Sequence, residues 1–465
     1  MTAKWSAKRY FVLVVGIILV LSVFLSACSS EKEPEGSTGP IAVAPSDGGG
    51  KKEAAETVKP EEKHEPVTLK LVTWNNTYDD LYKKFTAKYP WITIEPIYPA
   101  NGLDTSIIEK IAALQAAGTP ADLTWLTDLS QYTKGGLLED LKPYIEKDES
   151  LKSKKLPQGF FESFDNAQGQ RYAIPFVDVP MWVMVNMDLL AKYGLEMPGN
   201  DWTYDKFREL AKAATDPAAG EYGLTNSGIF AQYFLSAMSV ANGNSPNLWY
   251  MNEDLTQSVL DKPEAMNDVK WIQEFMTKDG SLPGNNKTKE LGGSVGNFIN
   301  GKTLFMIGGD FILEPLQKEA KFKFDVLPFP KGKVTQVTHH IYGPIGLLSS
   351  SKHKEEAWKW ISFQFEAEAQ KWKIDHGSNA FVIDDELKAY IDESPLWQGK
   401  NTEAVKMTKD MCCIGPGPTI PVFQENPFLS VADIILSGGD LNSLKPRIEA
   451  WNKKTLELRK AVSGQ

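Results

Sequence analysis

From Val67 onward the hydrophobic period of the chain switches repeatedly between two and 3.6, and this alternation restricts the fold more than any other feature. VTLKLVTW (67–74) has the pattern of a strand, and Tyr78, Leu81, Tyr82, Phe85 and Tyr89 then recur at helical spacing until Pro90 stops the helix. WITIEPIYP returns to period two. Leu103, Ile107, Ile108, Ile111 and Leu114 mark a second amphipathic helix, closed by Gly118 and Pro120 before the strand ADLTWL. Strands that alternate with helices need a sheet covered on its faces, so the expected class is α/β with parallel strands. In such sheets ligands collect at the loops beyond the carboxyl ends of the strands.

Later segments repeat the style. YAIPFVDVPMWVMV reads as extended, Trp202 to Ala214 and Pro263 to Lys278 as helices, KTLFMIGG and FKFDVLPFP as strands, and Lys354 to Trp372 as one helix. Asn186 and Asp188 in VNMDLL read as capping residues. A body of about 400 residues exceeds what one core usually serves, so two lobes are expected.

The first 28 residues set the compartment. Lys4, Lys8 and Arg9 precede an apolar run from Tyr10 to Leu25, the layout of a signal peptide, and the run is short for a membrane span. Leu25, Ser26, Ala27 and Cys28 resemble the lipobox of bacterial lipoproteins. The resemblance implies removal of residues 1–27 and a lipidated Cys28 that holds the chain on the extracytoplasmic face of the cell membrane. Ser29 to Pro66 is rich in Glu, Lys, Pro, Gly and Ser and reads as a disordered tether.

Taking Lys4, Lys8 and Arg9 from the 50 basic residues leaves 47 against 60 acidic ones, a net charge of −13. That balance argues against nucleic acid as a partner. The adjacent Cys412 and Cys413 cannot staple a long loop; they read as two small buried groups, with a strained vicinal disulfide as the alternative.

Catalytic constellations are scarce. Gly292, Gly293, Ser294, Val295 and Gly296 spell G-x-S-x-G, but a nucleophile elbow needs a buried strand ahead of the serine, and NNKTKEL is polar. A glycine loop before a helix starting near Asn297 fits better. The five histidines (64, 339, 340, 353 and 376) show no HExxH-type spacing, so no metal, no cofactor and no catalytic residue are expected.

Aromatic residues, by contrast, recur at strand ends and turns: Trp74, Trp182, Trp249, Phe311 and Tyr342. Asn75, Asp128, Asp178, Asp310 and His340 lie beside them. A sugar offers an apolar C–H face and a rim of hydroxyls, which suits flat rings with carboxylates and amides around them. Trp125, Trp271, Trp358 and Trp372 sit inside regular elements with apolar neighbours in period and read as packing residues.

The order of segments VTLKLVTW, FTAKYPWITIEPI, IIEKIAALQAAGTPADLTWL, GGLLEDLKPYI, GQRYAIPFVDVPMWVMVNMDLLAKYGLEMP with DWTYDKFRELAKAAT, FINGKTLFMIGGDFI, FKFDVLPFPKG and HKEEAWKWISFQFEAEAQ resembles family 1 extracellular solute-binding proteins, the carbohydrate receptors of ABC importers related to maltose-binding protein. The resemblance spans about Val67 to about Val382. It implies a two-lobed periplasmic-binding-protein-like fold of type II with a ligand cleft between the lobes. Lobe 1 would hold residues 67–178 plus about 344–395, and lobe 2 about 179–343 plus 396–465. It also implies a carbohydrate ligand, probed by contacts at Trp74 and Asn75, Asp128, Asp178 and Trp182. Phe311 stands two positions after MIGG where the family commonly has Trp, and HGSNAFV departs from the usual pattern. The expected partner is an ABC permease, with the receptor acting as a monomer by clamp closure on its ligand. Receptors for peptides or other polar nutrients, sensory lipoproteins and, more distantly, lipid-anchored glycan hydrolases are the alternatives.

Overall fold

The computed structural model describes residues 64–73, 78–99, 105–126, 129–157, 160–166, 169–253, 256–411 and 425–463. The chain from Lys63 to Gln465 clusters as one compact unit. Its strands are β1 (Val67–Val72), β2 (Ile92–Ile97), β3 (Leu123–Trp125), β4 (Ile174–Pro180), β5 (Trp182–Asn186), β6 (Tyr222–Leu224), β7 (Thr303–Gly308), β8 (Phe324–Leu327) and β9 (His340–Leu347). They form two sheets, β2-β1-β3-β9-β4 and β6-β7-β5-β8.

The local reasons are those the pattern suggested. The helix Asp79–Lys88 opens on Asp79 and Asp80, whose charges favour its N-terminus, and buries Leu81, Tyr82 and Phe85. In β2, Ile92 and Ile94 point inward while Thr93 and Glu95 face out. β4 and β5 are buried along their whole length, as strands covered on both faces must be. Asn186 caps the helix Met187–Lys192, accepting from the N–H groups of Asp188 (3.1 Å) and Leu189 (3.0 Å).

Aromatic rings pack against each sheet within one continuous buried cluster. On the first, Trp360 is fully buried with Tyr82 at 5.3 Å and Phe85 at 5.1 Å between ring centroids. On the second, Phe207 lies 4.6 Å from Phe234 and 5.1 Å from Phe305. Offset and edge-on ring pairs of this kind add ~0.5–1.5 kcal/mol each beyond the area they bury.

Three expectations need correction. The sheets are mixed: β1 runs parallel to β2 and β3, but β9 is antiparallel to both β3 and β4. β9 reaches the first sheet from the second half of the molecule and enters against the direction of its neighbours. The segment Lys354 to Trp372 is two helices, Lys354–Phe363 and Ala367–Asp375. Phe363 and Phe365 are both buried, and residues two apart cannot share one helical face, so the chain breaks there and turns Phe365 toward Phe381, 5.8 Å away. The glycine loop is shorter than expected: Gly292 and Gly293 take positive φ and the helix Gly293–Ile299 starts at once, with Ser294 exposed in its first turn.

The chain passes between the sheets along three segments. β4 runs into β5 through Met181, which is fully buried, donates its N–H to His339 O (2.9 Å) and accepts from Thr338 Oγ1 (2.5 Å). Thr338 and His339 lead into β9. A third segment leaves the first half after Ile383, whose N–H donates to Lys155 O (2.8 Å), and joins the second at Asn401, whose N–H donates to Asp325 Oδ1 (2.7 Å). The helix Val431–Ser437 then packs on the helix Pro263–Thr277, where Gln273 Nε2 donates to Gly439 O at 2.8 Å.

Candidate functional site at the crossing segments

In the antiparallel β4–β9 pair, Pro180 faces His340 and Asp178 faces Tyr342, so Asp178 and His340 are diagonal neighbours. His340 Nδ1 lies 2.6 Å from Asp178 Oδ1 and its Nε2 lies 2.9 Å from Thr408 O. Asn379 donates its side-chain amide to Asp178 Oδ2 (3.1 Å) and its backbone N–H to Asp178 O (2.8 Å). Thr408 Oγ1 in turn accepts from Trp182 Nε1 (3.1 Å), and the Trp182 ring packs edge-on to Trp397 at 5.2 Å.

This arrangement revises the roles expected for three residues. Trp182 is fully buried and its N–H is engaged, so it packs the crossing rather than offering a face to a ligand. Asp178 and His340 are buried too, and both carboxylate oxygens of Asp178 are engaged by protein groups.

Asp310 follows β7 and begins the turn Asp310–Ile312. Its carboxylate accepts from Ser378 Oγ, a contact between the end of a second-sheet strand and the loop after the helix Ala367–Asp375. Burial pushes its carboxyl up to about 6, against the hydrogen bonds from Ser378 and from the N–H of Phe311; the Asp178 charge adds to the rise. The Tyr78 hydroxyl is raised first by burial and then by Asp310, which places that carboxylate near the start of the helix Asp79–Lys88. Gly309 is required here. A Cβ on it would lie 2.4 Å from Val179 Cγ1 and 3.0 Å from Met181 Cε. Phe311, next to Asp310, is 43% exposed.

Successive side chains on an extended segment point to opposite faces, so His339 turns away from Asp178. Tyr233 stacks on it at 4.2 Å with 19° between planes, and Trp249 meets it edge-on at 5.7 Å. Burial drives His339 down to about 3, with His340 acting in the same direction, so this imidazole is neutral. Tyr233 comes from the π-helical turn Phe230–Phe234, and wide turns of this type often mark functional positions. Trp249 precedes Tyr250, which adopts φ 55°, an uncommon conformation for a bulky residue. Tyr250 is held there by its hydroxyl contact with Ser239, which also donates to Asp268 Oδ2 (2.7 Å), and by its ring against Phe428 at 5.1 Å. Tyr233 and Trp249 are each partly buried and pack at the margin of the core.

Tyr342 is partly buried, 6.1 Å from the His340 ring. Trp74, Asn75, Asp128, Cys28, Cys412 and Cys413 lie outside the described residues. The expected contacts therefore separate into a knot around Asp178, Trp182 and His340, the neighbouring pair Asp310 and Phe311, and Trp249 with its aromatic partners. Sequence reasoning missed Tyr233, Ser378, Asn379 and Thr408. FAQYF looks like plain core, and only the hydroxyl tip of Tyr233 in that apolar run could have drawn notice. Among the described residues, no group of three His, Cys, Asp or Glu is placed to hold a metal ion, and no helix is long and apolar enough to cross a membrane.

The sequence profile of the bacterial extracellular solute-binding proteins matches residues 73–371. A relative in Brucella abortus strain 2308, named only as a binding protein, is 27% identical over 374 residues, covering 77% of this chain and 82% of the relative. Two solved structures share the fold. One is an ABC substrate-binding protein of Listeria monocytogenes in complex with cycloalternan, with a TM-score of 0.67, 23% identity, and coverage of 84% of this chain and 99% of the other. The second, from Mycobacterium tuberculosis in complex with glycerophosphocholine, has a TM-score of 0.66, 14% identity, and coverage of 85% and 100%. The two sheets, the three crossing segments and the match across most of the body agree: the chain belongs to the bacterial extracellular solute-binding protein family.

Proposed function

We propose that this solute-binding protein is a lipid-anchored receptor that binds a carbohydrate outside the cytoplasmic membrane and passes it to an ABC importer. The observation that carries the carbohydrate reading is the cluster of Tyr233, His339 and Trp249 beside the crossing segments. It is an uncharged set of flat rings, with His339 held neutral, and such a surface suits the C–H face of a sugar better than the charged ends of a peptide. The cycloalternan complex of the Listeria relative in fold supports the same reading. Phe311, together with Trp74, Asn75 and Asp128, which follow first-sheet strands in the sequence, would supply further contacts.

The lobes divide, in this reading, at Met181, before His340 and between Ile383 and Asn401. The ligand binds the closed arrangement better and shifts the population toward it. The lipid anchor rests on the LSAC sequence ending at Cys28, and labelling with a fatty-acid analogue, lost in Cys28→Ala, tests it. The ligand is tested by a thermal-shift screen of Lys63–Gln465 against saccharides, polyols, glycerophosphodiesters, amino acids and peptides, since any ligand of the folded state raises the midpoint. A shift confined to saccharides, lost in Tyr233→Ala and Trp249→Ala proteins that still fold, supports the proposal. A shift with peptides or amino acids alone refutes it.

A further inference from the structure

Every crossing segment of this protein contributes to one side chain, His340. Asp178 belongs to the first segment, His340 itself to the second, and Thr408 lies in the helix Thr402–Asp410 at the end of the third. Among the described residues, each ring nitrogen faces an acceptor: a carboxylate oxygen at 2.6 Å from Nδ1 and a backbone carbonyl oxygen at 2.9 Å from Nε2. A neutral imidazole carries one N–H and one lone pair, so it could donate to only one of them and would turn its lone pair on the other. The ring is buried, and an unmatched pair of acceptors there is costly. Both contacts are satisfied together only when the His340–Asp178 pair holds a second proton, which the more basic imidazole carries as imidazolium beside the compensating Asp178 carboxylate.

We propose that His340 is a positioning residue that, doubly protonated at neutral pH, ties the three crossing segments together, and that its deprotonation loosens the third segment, which keeps the bond from Trp182 Nε1 to Thr408 Oγ1. The charged and titratable groups around it fit this role. Asp178 contacts it from β4, with Asn379 holding the other carboxylate oxygen. Its neighbour His339 is neutral and faces the other way, and Tyr342 lies on β9 with its ring 6.1 Å off. Asp310 and Lys373 lie beyond Asp178, bound to Ser378 and to Phe176 O respectively. Lys409, the residue after Thr408, donates to Val382 O at 3.3 Å.

The sign follows from the contacts. The protonated ring holds Asp178 and Thr408 at once, so the tie is present on the acid side and is lost as pH rises. In the neutral state the ring keeps its bond to Asp178, the stronger acceptor, and the helix Thr402–Asp410 is the element that loosens. The inference stands on the crossing segments and does not depend on the ligand being a carbohydrate.

The test uses the ligand-free protein. Nitrogen-15 labelling of its histidines and a long-range nitrogen–proton correlation read each ring's protonation, with His340→Gln identifying the signal. The expected result at pH 7 is two protonated nitrogens for His340, where a free imidazole of pKa ~6.5 is mostly neutral. One bare nitrogen at pH 7 overturns the proposal, and this reading needs only the wild-type chain. In parallel, amide hydrogen exchange, corrected for the intrinsic rate, follows residues 402–410 between pH 6 and pH 9. Protection there should fall severalfold relative to the rest of the wild-type protein as pH rises, and stay level with pH in His340→Gln or Asp178→Asn. Wild-type protection that does not depend on pH overturns the loosening step.

Discussion

Replacing Lys373 by Met removes an amino group that is completely buried while keeping a side chain of similar length. Lys373 Nζ donates to Phe176 O (2.7 Å) and Gln364 Oε1 (3.0 Å), and it lies 4.5 Å from the Phe176 ring centre and 5.0 Å from that of Phe381. Burial lowers its pKa from 10.5 to about 7, with the Asp310 charge opposing the shift. Between those values the unfolded chain holds a proton that the folded chain has released. Unfolding free energy therefore rises with pH in that window, is complete above the unfolded value and is lost as pH falls to the folded one. At ~1.4 kcal/mol per unit, the wild type should gain about 2–3 kcal/mol over Lys373→Met between pH 7.5 and 9.5. The variant also leaves Phe176 O and Gln364 Oε1 without their donor, an offset of about 1–3 kcal/mol each that moves the difference equally at every pH. Urea unfolding followed by tryptophan fluorescence at four pH values gives the slope, in which the groups not coupled to Lys373 cancel between the two proteins, and the coupled Asp310, at about 6, titrates below the window. A difference that is flat within about 0.5 kcal/mol from pH 7.5 to 9.5 refutes a neutral Lys373 in the fold.

Asp310→Asn should act in the opposite sense. With its carboxyl raised to about 6, Asp310 destabilises the fold above that pH, so the variant should be more stable by roughly 1–3 kcal/mol at pH 7.5, the advantage vanishing near pH 4 in the same assay. Gly343→Ala places a Cβ 2.1 Å from Trp125 Cζ2 and 2.7 Å from Val177 Cγ2, inside a well-packed strand pair; overpacking of this kind should cost about 1–3 kcal/mol or more, and an unchanged urea midpoint would show that the strand can shift. Trp249→Ala should weaken saccharide binding by roughly tenfold or more in calorimetry while leaving the fold intact, since its ring is only partly buried; equal affinity removes Trp249 from the ligand surface.

Much of the fold is legible because its elements obey one period at a time. β1, β2, the helix Asp79–Lys88 and the helix Tyr204–Ala213 fall where the apolar spacing puts them, and Asn186 caps as its type suggests. The errors arise where two local rules compete. Phe363 and Phe365 both carry core-forming side chains, and only the packed structure shows that satisfying both breaks the helix. The mixed sheet could not be read from period, because a covered strand looks the same in either direction. The candidate site is harder still. Asp178, Trp182 and His340 stand out as chemically rich residues near strand ends, yet their partners Thr408, Asn379 and Trp397 are remote in sequence. Spacing along a chain carries no information about such meetings, so a residue committed to its neighbours looks the same as one awaiting a ligand. Tyr233 was hidden for the converse reason, lying in an apolar run whose π-helical turn has no sequence signature.

The position of β9 in the first sheet also bears on how the protein is made. β9 lies between β3 and β4, although it is synthesised long after both. A chain ending before His340 holds two strands that each lack a neighbour, and bare strand edges are templates for pairing with other chains. The pairings of Asp178 with Tyr342 and of Ile174 with Ile345 join residues 164 and 171 positions apart, which makes their formation slow as well as late. The strand that seals the sheet is supplied by the final third of the chain, so truncated or stalled products should aggregate rather than persist as half-molecules.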